Sequence, residues 1–417
     1  MTRASRAVAL NLILLGGALV AGLLLFEGVG RLLLQRTSAG DEVLLGVALP
    51  PRTVIPSPSP VDMDPDQVFG DLAFEGKRIT TSDLWGIVRP DPVVGYVPQE
   101  NGVSTNRWWR TNDLGARHDR DLLESGPLPS GAGRWLFFGE SFTQGSRLPQ
   151  EDTWVYRLDG LSKYREAVNF GVDGYGMAQS LLRYRTVADR LSYDGIVFVF
   201  LPTADLWRDV NTIRSLAEPW HSFAVLPRFF LDGDALQLVP SPYGDVETLY
   251  RENHPDISPR LRTHLQQFDR FYLPALYESS VSRDFLIATR VLAAYRGKRQ
   301  LMEIRRQTFY DPESEAWRTV REIFKLARRD AERRQAQMLI VVMPTHDDVN
   351  AAADFESFRE YWGEMVASLR RSGLQTLDLL PGLSEVPGDL DYGHDGSHYG
   401  PRASERIAFI LDEALPR

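Results

Sequence analysis

Ser141 directly follows a short apolar run, Trp135-Leu136-Phe137-Phe138, within the glycine-bounded stretch Gly139-Glu140-Ser141-Phe142-Thr143-Gln144-Gly145. A serine on a tight turn leaving a buried strand presents its hydroxyl at the edge of a sheet, where turn N–H groups can face a developing oxyanion. The same residues also suit an ordinary strand-to-helix turn with a capping serine. Near the other end of the chain, Asp395-Gly396-Ser397-His398 places a carboxylate three residues before a histidine. A carboxylate can hold the imidazole tautomer, and the imidazole can take the proton of a nucleophilic hydroxyl. An isolated Asp-x-x-His is common. Its position just ahead of a final amphipathic segment, in a chain whose first buried strand ends at a serine, makes Ser141, Asp395 and His398 a candidate nucleophile, orienter and base.

The elements that must bring these residues together alternate in type. Apolar runs at Trp135–Phe138, Ile196–Leu201, Met338–Val342 and Leu374–Leu379 read as buried strands. Helical periodicity is expected at Thr153–Leu161, Met177–Leu191, Trp317–Arg334 and Phe358–Arg371. Strands alternating with helices imply βαβ units, hence an α/β fold with a parallel sheet covered on both faces. An insertion at about 210–315 breaks the rhythm; it opens with a hairpin signal at Asp232-Gly233 and includes a helix near Phe285–Tyr295. Three divisions are expected: an anchor over 1–36, a Pro-rich spacer and strand-rich region over 37–130, and the α/β domain over 131–417. Leu49-Pro50-Pro51 through Pro56-Ser57-Pro58-Ser59-Pro60 supplies the spacer, since such a segment favours extended backbone.

The order of these blocks resembles the GDSL-like, or SGNH, hydrolase family. Gly139-Glu140-Ser141 is similar to its Gly-Asp-Ser block, with Glu in place of Asp. Asn169-Phe170-Gly171-Val172-Asp173-Gly174 is similar to its second block, and Asp395 with His398 to its last. Thr111–Arg117 and Pro227–Gly233 look like flanking pieces of a membrane-anchored bacterial branch. The resemblance covers roughly 85–240 and 335–415. It implies a three-layer α/β sandwich and an oxyanion hole built from the N–H groups of Ser141 and Gly174. One block departs from the pattern: Phe200-Leu201-Pro202-Thr203-Ala204-Asp205 has Ala204 where the family places an oxyanion-hole asparagine. Losing one such donor costs about 10²–10³ in turnover. Thr203 is the remaining hydroxyl donor there, and Thr203, Asp205 and His346 are expected substrate contacts.

Ala7–Phe26 is a run of twenty mostly apolar residues, long enough to cross a bilayer as a helix. A cleaved signal would end its apolar region sooner at a small-residue site, and a core helix seldom opens a chain; an uncleaved anchor fits best. The body would then lie in the periplasm or outside the cell. The net charge of −9 supplies no basic stripe for nucleic acid, and the absence of cysteine removes thiol catalysis and zinc–thiolate sites. His346-Asp347-Asp348 fits no metal-ligand spacing, so no metal and no cofactor is expected.

Two functions follow. The first is a serine esterase or acyltransferase acting through an acyl-enzyme on Ser141; the resemblance implies small acyl esters, including acetyl groups on a carbohydrate. The second, motivated by Ala204 and the insertion, is a catalytically weak or inactive module that binds a glycan or a membrane-protein partner.

Overall fold

The computed structural model describes residues 3–37, 40–55, 73–74, 77–78, 88–104, 107–123, 128–217, 224–253, 256–385, 390–392 and 398–416. Asp395 and the proline stretch Pro56–Pro60 lie outside them. Its contacts divide into two compact units, one formed by Met1–Pro58 with Glu252–Ile304 and the other by Ser59–Arg251 with Arg305–Arg417. Part of the expected insertion therefore belongs with the N-terminal segment.

In the larger unit a five-stranded parallel sheet is built from β1 (Gly133–Phe138), β2 (Arg165–Asn169), β3 (Gly195–Phe200), β4 (Gln337–Val342) and β5 (Thr376–Asp378), in the order β5-β4-β3-β1-β2. Phe137 and Phe138 are both fully buried, as a strand covered on two faces requires. Because successive side chains alternate, Phe137 meets Trp154 of the helix Trp154–Leu161, whereas Phe138 meets Tyr184 of the helix Met177–Val187. Helices thus cover opposite faces, giving three layers. Phe324 of the helix Glu315–Arg333 packs on Phe198 and Phe200 of β3, on the Tyr184 side. This is the α/β architecture expected from the alternating pattern.

β2 is the strand that the apolar runs do not reveal. Its sequence Arg165-Glu166-Ala167-Val168-Asn169 carries two charges at its start, yet all five residues are buried. Arg165 pairs with Asp412 at 2.7 Å and Glu166 with Arg134, so each charge enters the interior with a counter-charge. The Asp-Gly signal does give a hairpin, Arg228–Asp232 with Ala235–Val239, and Gly233 takes the left-handed φ of +60° that the turn demands.

The smaller unit holds the helix Arg3–Leu33, which continues into a small antiparallel sheet of Leu34–Arg36, Glu42–Leu44 and Val47–Ala48. Leu44, Leu49, Ile287 and Ala294 form its core with Leu34 and Val291. The helix that contributes Ile287, Val291 and Ala294 spans Ile287–Tyr310 and is longer than the helical pattern suggests.

Candidate active site

Ser141 is the first residue of a one-turn helix, Ser141–Gln144, that leaves the carboxyl end of β1. Gly139 makes the sharp exit possible: a Cβ there would lie 2.2 Å from Thr143 Oγ1 and 3.0 Å from the Val199 carbonyl. The turn is clamped from three sides. Asn169, at the end of β2, donates to the Thr143 carbonyl at 2.9 Å and accepts from Gly171 N–H. Gln144 Oε1 accepts from Asp173 N–H at 3.0 Å. Arg117, fully enclosed, donates to the carbonyls of Gln144 and Gly145 at 2.8 Å, and also to those of Trp108 and Leu148. A cation at the carboxyl end of that turn complements its exposed carbonyls. Burial pulls the Arg117 guanidinium down to about 9. That arginine gives the Thr111–Arg117 stretch a physical role.

His398 meets Ser141 although they are 257 positions apart, its Nε2 lying 2.8 Å from Ser141 Oγ. Its ring stacks on Phe142 at 4.6 Å between centroids, and Tyr399 packs edge-on against the same phenyl group. Tyr399 is held in turn by donating to the Pro344 carbonyl at 2.5 Å. His398 is 7% exposed and Ser141 2%, so both residues are buried.

A second group reaches the same oxygen. Ser141 Oγ donates to Glu140 Oε2 at 2.7 Å, while Glu140 caps the helix by accepting Phe142 N–H at 3.0 Å. Beneath it, Arg208 Nη1 stands 3.8 Å from Glu140 Oε2 and 3.9 Å from Asp205 Oδ1. Two fully buried carboxyl groups thus share one close guanidinium. Burial raises the Glu140 carboxyl, with Arg208 opposing; burial and then the neighbouring Glu140 charge hold Asp205 well above the usual carboxylate range. The sequence marks Glu140 only as a replacement for aspartate, and nothing in it marks Arg208.

Of the two expected oxyanion donors, the Ser141 N–H opens its helix and has no intrahelical carbonyl to bond. The Gly174 N–H is aimed by its own peptide plane. Tyr96 donates its hydroxyl to the Asp173 carbonyl at 2.6 Å, and in a trans peptide the Gly174 N–H points the opposite way. Arg214 Nε fixes the next carbonyl, that of Gly174, at 2.9 Å. Gly174 has φ +77°, and a Cβ there would come within 2.6 Å of the Tyr96 hydroxyl. Tyr96 comes from the hairpin Val88–Asp91/Gly95–Pro98, where no motif announces it.

The expected substrate contacts separate. Asp205 is fully buried and accepts Leu201 N–H at 2.7 Å, so it forms the floor of the site and not a surface for substrate. Thr203 donates to Asp348 Oδ2 at 3.2 Å, which engages the hydroxyl that would replace the missing asparagine. His346 stacks on Tyr392 at 3.9 Å, and Tyr392 contacts Tyr399, which connects His346 to the aromatic group around His398. Thr203 also lines an open cleft of about 620 Å³ with Asp347, Phe355, Phe358, Tyr361 and Phe309. Among the described residues, no three His, Asp or Glu side chains are grouped as a metal site.

No protein-family model matches the sequence, and no curated protein is similar to it. Solved structures are similar to the chain at low identity. A member of the lipolytic protein G-D-S-L family from Veillonella parvula is 12% identical, with 68% of this chain and 98% of that one covered at a TM-score of 0.34. A catalytic mutant of an acetylxylan esterase from Geobacillus stearothermophilus is 10% identical, with 70% and 98% covered at 0.33. An alpha/beta hydrolase from the metagenome of Lake Arreo, Spain, is 10% identical, with 69% and 98% covered at 0.35.

Proposed function

We propose that this chain is a GDSL-like serine esterase or acyltransferase, held at a membrane by its N-terminal helix with its body outside the cytoplasm. The 2.8 Å approach of His398 Nε2 to Ser141 Oγ carries the reading. Ser141 Oγ attacks the acyl carbon of a small ester while its proton passes to His398 Nε2. The N–H groups of Ser141 and Gly174 receive the oxyanion. Collapse of the tetrahedral intermediate returns that proton to the leaving alkoxide and leaves the acyl group on Ser141. Water resolves the acyl-enzyme in hydrolysis; a glycan hydroxyl resolves it in transfer. Asp395 takes the orienting role through its Asp-x-x-His spacing. The aromatic cleft beside Thr203 suits a sugar ring carrying an acetyl group.

Labelling of the full chain with a fluorophosphonate probe tests the proposal. Wild type is expected to label and Ser141→Ala not to. Labelling that persists in Ser141→Ala would remove Ser141 as the nucleophile. The specific support for a binding module is the stretch Phe200–Asp205, where Ala204 carries no donor and Thr203 is engaged by Asp348. A folded wild type inert to the probe would favour that reading.

A further inference from the structure

The end of the N-terminal helix is built into a folded platform. Its apolar run closes at Phe26, and the next residue, Glu27, is buried and accepts the N–H groups of Ile287 and Ala288, both at 2.9 Å. An anion thereby occupies the start of the helix Ile287–Tyr310, where free N–H groups favour it. One turn on, Arg31 donates to the Phe285 carbonyl at 3.1 Å, and Gly30 packs so closely on Ile287 that a Cβ would lie 3.1 Å from its methyl. The segment before Ile287 is therefore held level with the last turns of the membrane-length helix Asn11–Leu33.

A second segment returns to the same level through strand register. Leu34, which follows the helix directly, pairs with Leu44, whereas the charged pair Arg36 and Glu42 lies two residues further along. The tip after Leu44 therefore lies beside the end of the helix, and the polar end of the ribbon points away from it. Arg290 locks ribbon to helix, donating to the Pro50 carbonyl and to Glu42, each at 2.6 Å.

Several large apolar side chains are exposed on these three segments. Leu32 is 86% exposed at the helix end, Leu45 80% at the ribbon tip, and Val281 and Phe285 are 91% and 72% exposed on the third segment. Three pieces of chain, distant in sequence, place bare apolar side chains around the base of one apolar helix.

We infer that the ribbon tip at Leu45 and the turn at Val281–Phe285 are seated in the headgroup–acyl boundary of the bilayer, forming a lipid-immersed collar around the anchor. The inference rests on the reading of the N-terminal helix as a membrane anchor. Its occupant is lipid because the patch is continuous with the face that the helix presents to acyl chains. Such a collar would work as an interfacial amphipathic element does, by burying apolar side chains at headgroup depth.

The chain contains no cysteine, so single introduced thiols report unambiguously. Full-length Leu19→Cys, Leu45→Cys and Phe285→Cys would each be labelled with an environment-sensitive fluorophore and reconstituted into phosphatidylcholine–phosphatidylglycerol vesicles. Quenching by doxyl-labelled lipid is then compared with quenching by aqueous iodide. All three labels are expected to be quenched more by the lipid than by iodide, with Leu45 and Phe285 responding to shallow doxyl positions and Leu19 to deep ones. Leu19 lipid-quenched with Leu45 and Phe285 iodide-quenched would overturn the collar while sparing the anchor, and would suit a face that binds protein instead. Iodide quenching at Leu19 would remove the anchor itself, and the collar with it.

Discussion

The Oε2 atom of Glu140 lies 2.7 Å from the Oγ of Ser141. Because His398 Nε2 reaches the same oxygen at 2.8 Å, one hydroxyl proton stands between two acceptors. In this arrangement the hydroxyl donates to Glu140, and it must turn toward His398 Nε2 for the imidazole to take its proton. On the proposed mechanism, Glu140 is a positioning residue for Ser141. In Glu140→Gln the amide can donate to Oγ while its oxygen keeps the Phe142 N–H, so fluorophosphonate labelling should persist. Glu140→Ala removes both bonds, with a cap loss of about 0.5–2 kcal/mol, and labelling should slow markedly while the chain stays folded. Equal labelling rates in wild type and Glu140→Ala would exclude a positioning role.

Tyr96 sets the direction of the Gly174 N–H through the Asp173 carbonyl. Tyr96→Phe keeps the ring and loses one hydrogen bond, worth about 0.5–1.5 kcal/mol. Turnover on a simple acetyl ester should therefore fall by up to about tenfold, with KM little changed, because an oxyanion donor acts mainly in the transition state. Gly174→Ala should be the more damaging change, since it adds a left-handed φ penalty to the clash with the Tyr96 hydroxyl. A KM effect with unchanged kcat in Tyr96→Phe would place this hydroxyl in substrate binding.

Asp209 predicts a pH dependence of stability. It is fully buried and accepts the N–H groups of Met177 and Ala178 at 3.0 and 2.8 Å, yet burial pushes its carboxyl up to about 6. A raised folded-state value means that the native chain holds a proton the unfolded chain has released. This contribution to stability therefore falls as pH rises from about 4 to about 6 and is level above that. Asp209→Asn carries no such penalty. Relative to wild type it should gain about 3 kcal/mol across that window, because holding the extra proton costs about 1.4 kcal/mol for every pH unit crossed. Parallel denaturant titrations at pH 4, 5, 6 and 7 check this; a constant difference between the two proteins would show that Asp209 titrates normally.

The stretch Phe200–Asp205 offers a test of side-chain donation. Thr203 is bonded to Asp348, which also accepts from Thr345 N–H and Oγ, each at 2.8 Å. Thr203→Val should therefore leave ester turnover nearly unchanged, whereas Ala204→Asn should raise it if the new amide reaches the oxyanion. A well-aimed donor stabilises the transition state by about 2.7–4 kcal/mol. The helix Pro202–Arg208 holds position 204, so imperfect aim will reduce that gain. Loss of activity in Thr203→Val would instead show that the threonine serves the reaction directly.

The features readable from the chain without its fold are local ones. The strands β1, β3 and β4 are apolar runs whose burial on both faces needs no distant partner to be recognised, and Asp232-Gly233 carries its own turn. Ser141 is legible because its chemistry depends on the strand immediately before it. His398 is legible because of its place ahead of the final helix, Pro401–Ala414. The rest depends on contacts that folding creates. β2 is a strand because Asp412 and Arg134 neutralise its charges, and those partners are far away in sequence. Glu140, Tyr96 and Arg208 act on the site through one hydroxyl or carbonyl each, and such contacts leave no periodicity to read. The union of Glu252–Ile304 with the N-terminal segment likewise depends on Glu27 meeting Ile287 across 260 residues. Near neighbours impose a repeating pattern on the chain; a single long-range hydrogen bond or ion pair constrains only two residues and becomes visible when the fold brings them together.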